Sequence, residues 1–379
     1  MINSRHDQLM PAYRYMVHMN HQCGAATLVI SVALLIAVTI IVLFGANTSV
    51  MEQRIATNDY RGKQAFEAAE AGIEYAVGRI NKETFINLSD SDNDQNVEFA
   101  CKDGDSPADA PCDVPPLDNG ATATVSLTLP ASSDLTAIEI NSTGFSDDRA
   151  ASRSVSVLVR LVPILGNPPP APLVARSNVD LYDTAKISNI ATGNAIWSGG
   201  SMTLHGGSVV IDGSVNDNPS NLSGVGATEF FDNFFKSTKE QVRAQSKVIT
   251  QIDNGSTDYS AALNGINGRA VWIDARDGLG NPDAVIIDNA TMGATEPVIL
   301  IVDGFSSLTI INGTQINGLV YVIGPWDNGP NDADIAGLVM VEDDVALRSN
   351  FTISYNTGII SALDNVGRYT KVAGSWRDF

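Results

Sequence analysis

Asp303, Asp327, Asp332, Asp334, Glu342, Asp343 and Asp364 are the side chains whose type suits paired acid–base work. In such a pair one carboxyl group donates a proton while an ionised partner activates water. Spacing alone brings no two of them to a productive separation. His205 is the only histidine beyond the first 24 residues, and it sits in the tight turn LHGGS, which favours a structural role. No GxSxG, Walker loop or HExxH motif occurs, so no enzyme, catalytic residue, resident metal or cofactor is expected. Asp90, Asp92 and Asp94 carry the first three spacings of a calcium loop. Gln95 stands where that loop needs glycine and Cys101 where it needs glutamate, so a solvated acidic loop is expected. Trp197, Trp272, Trp326 and Trp376 could each stack on a sugar or serve as core and end-cap rings. Trp326, in GPWDNGPND, is the ligand-binding candidate, because its neighbours specify an exposed loop. Cys101 and Cys112 lie eleven positions apart in ACKDGDSPADAPCD. They read as a local disulfide worth about 2–3 kcal/mol in an oxidising compartment, or as two free thiols in a reducing one.

These residues hang from an uncharged run, Ala25–Ala46, AATLVISVALLIAVTIIVLFGA. As a helix it is about 33 Å long, enough to cross a bilayer core. Ser31, Thr27 and Thr39 can return their hydroxyls to carbonyls of the preceding turn. A polar helix follows, with Phe66, Ala69, Ile73, Val77 and Ile80 on one stripe. Glu70 falls inside that stripe, as a snorkelling edge residue or as one half of a buried pair.

From Phe85 to Val162 the period changes to two. Ala121–Leu129, Leu135–Phe145 and Ser152–Val162 read as antiparallel strands. Pro163–Pro172, PILGNPPPAP, reads as a stiff linker. Beyond it INGLVYV, IAGLVMV and NTGIISA place glycines at 318, 337 and 358, and VILIV (298–302) lies about one period upstream. A period near twenty with one buried strand each suggests a β-solenoid, against an ordinary sandwich with coincidental spacing. Thr228–Ile249, rich in phenylalanine, reads as one amphipathic helix packed on it. Trp376 and Phe379 could cap its open end. The expected fold is α+β: leader 1–24, transmembrane helix 25–46, long helix and small antiparallel β headgroup 47–162, linker 163–172, and a β-solenoid-like domain 173–379.

Gly24 before an uncharged run, continued by AFEAAEAGIEYA (Ala65–Ala76), resembles the N-terminus of PilX-type minor pilins of type IV pili. It is also similar to the tip pseudopilin of type II secretion. The resemblance covers about residues 20–80. It implies that a prepilin peptidase cuts after Gly24 and methylates Ala25, and that the helix assembles with other major and minor pilins. Val29 stands where most pilins carry the fifth-position glutamate, as it does in several members of this subgroup.

The expected role is therefore a minor pilin in pilus assembly or priming, at the filament tip. Val29, Phe66, Glu70, Ile73 and Val77 would mediate contacts with neighbouring subunits. The alternatives are a pilus-associated adhesin for a surface glycan or protein, and a tethered polysaccharide-active enzyme. The expected location is the inner membrane, single-pass with an extracytoplasmic head, or outside the cell on the filament. A net charge of -20 argues against nucleic acid.

Overall fold

The computed structural model describes residues 23–81, 95–97, 111–130, 136–217, 222, 224–250, 257–330 and 332–379. Two units divide the chain, 1–61 and 62–379. Helix α1 (Cys23–Ile80) runs for 58 residues, free of proline. In the first unit its large apolar side chains from Leu28 to Phe44 are exposed. Ser31 and Thr39 donate to the carbonyls of Leu28 and Leu35 at 2.9 and 2.7 Å, so neither hydroxyl is left bare in an apolar setting. By length and composition this stretch can cross a membrane.

In the second unit α1 meets an antiparallel sheet of β1 (Cys112–Asp113), β2 (Thr122–Thr128), β3 (Ala137–Phe145) and β4 (Ser152–Pro163). Burial alternates along β2 and β3, as the period-two pattern requires. The buried face packs Val125, Leu127, Ile138, Ile140 and Val157 onto Ala68, Ala69, Ile73 and Ala76. Small residues are needed there because β3 lies against the helix backbone. A Cβ built on Gly144 would sit 2.1 Å from the Ala65 carbonyl oxygen and 2.3 Å from the Ala69 nitrogen.

The β-rich remainder begins with β5 (Leu173–Ala175), β6 (Val179–Tyr182), β7 (Lys186–Ser188), β8 (Asn194–Ser198), β9 (Met202–His205), β10 (Val210–Asp212) and β11 (Ser214–Asp217). Helices α2 (Ala227–Phe234) and α3 (Lys239–Gln245) lead to β12 (Lys247–Thr250) and α4 (Ser260–Leu263). Then come β13 (Ala270–Asp274), β14 (Asp283–Asp288), β15 (Thr291–Met292), β16 (Val298–Asp303), β17 (Phe305–Ile311), β18 (Thr314–Val322) and β19 (Trp326–Pro330). The last are β20 (Ala333–Val341), β21 (Val345–Arg348), β22 (Phe351–Ser354) and α5 (Thr357–Ala362).

All these strands pair in parallel. The main row runs β12-β13-β16-β18-β20-β5-β8-β11. Gly318 and Gly337 pair with each other, at φ +147° and +139°, where β18 and β20 change partner strands. That geometry excludes a side chain: a Cβ on Gly337 would lie 1.9 Å from the Gly318 oxygen.

The solenoid expectation is not confirmed: β12, β13, β16, β18 and β20 lie side by side in chain order, but the row does not continue so. β5 stacks on β20, so Val174 faces Met340 from far away in the sequence. Among the described residues no single sheet closes round the module. The third repeat, NTGIISA, is helix α5 instead of a strand. The Asn356 side chain accepts from the Gly358 and Ile359 nitrogens and caps it.

The middle of the main row, β13, β16, β18, β20 and β5, is buried on both faces. One face forms a core with Leu300, Val320, Val339 and Leu173. Over the other, Phe230, Phe231, Phe234 and Phe235 pack on Trp272, Ile301, Tyr321 and Met340. The single amphipathic helix expected over 228–249 is two helices and a strand. Phe235 leaves α2 in extended form to bridge Leu165, Thr238 caps α3 with Gln241 in a capping box, and Lys247–Thr250 joins the sheet.

Finally the chain returns to the first sheet. β23 (Gly367–Lys371) and β24 (Arg377–Asp378) both pair with β4. Trp376 and Phe379 therefore do not cap the second module. Trp376 stands edge-on to Phe66 at 6.2 Å, and the Phe379 nitrogen donates to Ser154. Nor is 163–172 a free linker, because Ile164, Leu165 and Ala171 are buried. Residues 164–366 are inserted between two neighbouring strands of the head sheet, and the Ile164 nitrogen donates to the Val366 carbonyl at the junction.

Candidate assembly surface

Gly24 and Ala25 lie in the first turn of α1. Val29 is 65% exposed within the apolar face. The rest of the expected contact stripe is occupied by this chain's own sheet. Ile73 is fully buried, and Phe66 and Val77 are partly buried against the same core. They are not free to meet a neighbouring helix, because the period that marks a helix stripe does not say what covers it. Glu70 is exposed, on the side of α1 away from that core, with Glu67 and Glu74. The buried-pair reading of Glu70 is thus replaced by a solvated one. What α1 leaves exposed is its apolar N-terminal stretch, the mostly polar residues 51–60, and the carboxylates of Glu67, Glu70 and Glu74.

The C-terminal strand fixes the far end of this helix. Asn81 donates to the Val77 and Tyr369 carbonyls at 2.9 Å and accepts from the Tyr369 nitrogen at 2.7 Å. Lys371 pairs with Glu74. Spacing could not have shown a strand that arrives from 288 residues away. Gly144 had a readable signal, since a glycine inside a strand marks close backbone approach.

Cys112 is buried and disulfide-bonded. Its expected partner Cys101 lies outside the described residues, as do Asp90, Asp92 and Asp94. Trp326 is 1% exposed, which corrects its assignment to a ligand-binding loop. Its indole nitrogen donates to the Leu308 carbonyl at 3.0 Å and its ring meets Phe351 edge-on. WDNGP is strand β19, so Trp326 and Asn328 point inward while Asp327 points out.

Several of the carboxylates considered for acid–base work are held by cations. Arg276 grips Asp303 through two hydrogen bonds of 2.8 and 3.0 Å and also reaches Asp274. Glu342, 4% exposed, meets Lys239 and accepts from the Tyr321 hydroxyl at 2.7 Å. Arg348 holds Asp327 by two bonds of 2.9 Å and lies over Tyr182, which stacks on His205.

The hydrogen bonds from Arg348 hold the Asp327 carboxyl below its ordinary 3.8. A depressed folded pKa gives stability that is complete above 3.8 and lost as pH falls through the lower folded value. The pair is half exposed, so its contribution is under about 1 kcal/mol. Asp327→Asn should leave acid unfolding slightly less steep below that pH, as read by circular dichroism.

A long helix with an exposed apolar N-terminal stretch, buried further on against an antiparallel sheet and held at its end by β23, is an arrangement of helix-and-headgroup type that fits a single-pass membrane anchor. Residues 24–74 match the family model described as PilX N-terminal, so this segment is similar to the N-terminal region of PilX-type proteins. Among solved structures, the competence-associated pilin ComZ from Thermus thermophilus is similar at 10% identity, over 84% of this chain and 97% of that one. The TM-score is 0.26, a superposition too loose to bear on the fold. No curated protein matches the chain.

Proposed function

We propose that the chain is a minor pilin that takes part in assembling or priming a type IV pilus and displays a β-rich module outside the filament. The observation that carries this reading is the division of α1. Its buried small-residue stripe serves the headgroup, which leaves the exposed apolar half to pack among other pilins in the membrane and the filament.

On this reading a prepilin peptidase removes 1–24 and methylates Ala25, and 25–46 spans the inner membrane. The head then comprises 47–163 and 367–379, around an inserted module built of parallel strand rows. A Cys101–Cys112 disulfide fits an extracytoplasmic head. Ion-paired carboxylates support a structural role over an enzymatic one.

Val29 favours the tip. A buried carboxylate costs about 2.5–3.5 kcal/mol on insertion scales, so it persists where an amine needs it. A subunit with no neighbour above it lacks that need, and a bulky inserted module is easier to carry there than in a packed shaft. Deletion should lower filament number more than it alters filament structure, and gold-labelled antibody should mark filament ends. Labels spaced along the shaft would overturn the tip assignment.

A further inference from the structure

One row of side chains crosses the main sheet in register: Trp272, Ile301, Tyr321, Met340, Val174, Trp197 and Asn216. The phenylalanines around α2 cover its middle. Trp197 is where the cover ends, and it is only half-buried. Its indole nitrogen makes no hydrogen bond among the described residues. Beside it opens a cleft of about 480 Å³, walled by Pro168, Pro169 and Pro170 on one side and by Glu229 and Asn233 of α2 on another. That volume lies within the range of about 300–1,000 Å³ usual for small-ligand sites. Asn167 completes the rim, its amide donating to the Asn233 carbonyl at 3.5 Å.

We infer that this cleft is a binding site for a neutral pyranose ring, presented on a surface glycan. The indole supplies an apolar flat for the C–H face of a sugar. The prolines make a wall with fixed φ that needs no ordering on binding. The Asn167 and Asn233 amides and the Glu229 carboxylate are donors and acceptors suited to ring hydroxyls. Among the described residues no lysine or arginine lines the cleft, and the net charge is -20, so uronic and sialic acids are disfavoured. Among the four tryptophans, Trp326 and Trp272 are buried, and Trp376 stands on the head. This inference goes beyond the assembly role and does not depend on where in a filament the subunit sits.

The test is saturation-transfer NMR on the full chain in lauryldimethylamine oxide, a detergent without a sugar headgroup. The probes are the methyl glycosides of glucose, galactose and N-acetylglucosamine, with methyl glucuronide as the anionic comparison. Transfer to a neutral glycoside is expected, weakened at least about tenfold by Trp197→Ala, less by Trp197→Phe, and not by Trp376→Ala. Asn233→Ala, on the exposed side of α2, should weaken it without disturbing the core, which covers the case in which Trp197→Ala does not fold. Absence of transfer from every neutral glycoside at about 10 mM, undiminished binding in both Trp197→Ala and Asn233→Ala, or preference for the glucuronide would overturn the site. Filament number in a strain carrying Trp197→Ala should stay at the parental level, so failure of this site and failure of the pilin reading are read separately.

Discussion

Gly144→Val should destabilise the head by about 3 kcal/mol, the upper end of what overpacking costs, and should abolish incorporation into filaments. The added carbons meet the Ala65 carbonyl and the Ala69 nitrogen, and neither backbone atom can turn aside. Helix α1 must lift from β3, which also uncovers Ile73 and Ala76. Gly78→Ala supplies the control, because a Cβ there meets nothing within 4 Å. On an exposed helix position it should be neutral or stabilising by up to about 1 kcal/mol. Thermal unfolding of the two variants in detergent separates close packing from a general intolerance of side chains at glycine.

Glu342→Ala should cost about 3 kcal/mol and loosen the α2–α3 crossover from the main sheet. The carboxylate is buried, and its loss leaves Lys239 over the Phe231 ring without its anion. Breaking a buried pair costs about 3–5 kcal/mol, and the partial exposure of Lys239 sets the lower end. Burial first, and then the Glu342 charge, push the Tyr321 hydroxyl well above its ordinary 10.0, so it remains a donor throughout the physiological range. Tyr321→Phe should therefore cost less, about 1–2 kcal/mol, because Lys239 still serves the carboxylate. A red shift of tryptophan emission from Trp272, which lies beneath the helical cover, should accompany Glu342→Ala and be absent in Tyr321→Phe.

Local pattern was enough for the anchor, for α1 and for β2, β3 and β4, because each is specified by period and turn residues within itself. Pattern also placed Gly318 opposite Gly337, since identical surroundings, INGLVYV and IAGLVMV, fold alike. It misread NTGIISA because an asparagine cap starts a helix whatever the glycine spacing says. It misread Trp326 because Asn, Gly and Pro suggested a loop, whereas alternation in β19 turns the ring inward. The domain boundary was hidden for another reason. Nothing in GRYTK announces pairing with β4, and a contact across about two hundred residues leaves no trace in local periodicity. Glu70 falls inside the helix stripe by period, yet the sheet covers a face that leaves it exposed, and periodicity alone does not say where a covering sheet will lie.

The claim that this chain is a processed pilin subunit is tested most directly by mass spectrometry of the mature protein extracted from its native membrane. The account predicts an N-terminal peptide beginning at Ala25, carrying one added methyl group. A mature chain in which Gly24 is still joined to Ala25 would contradict it.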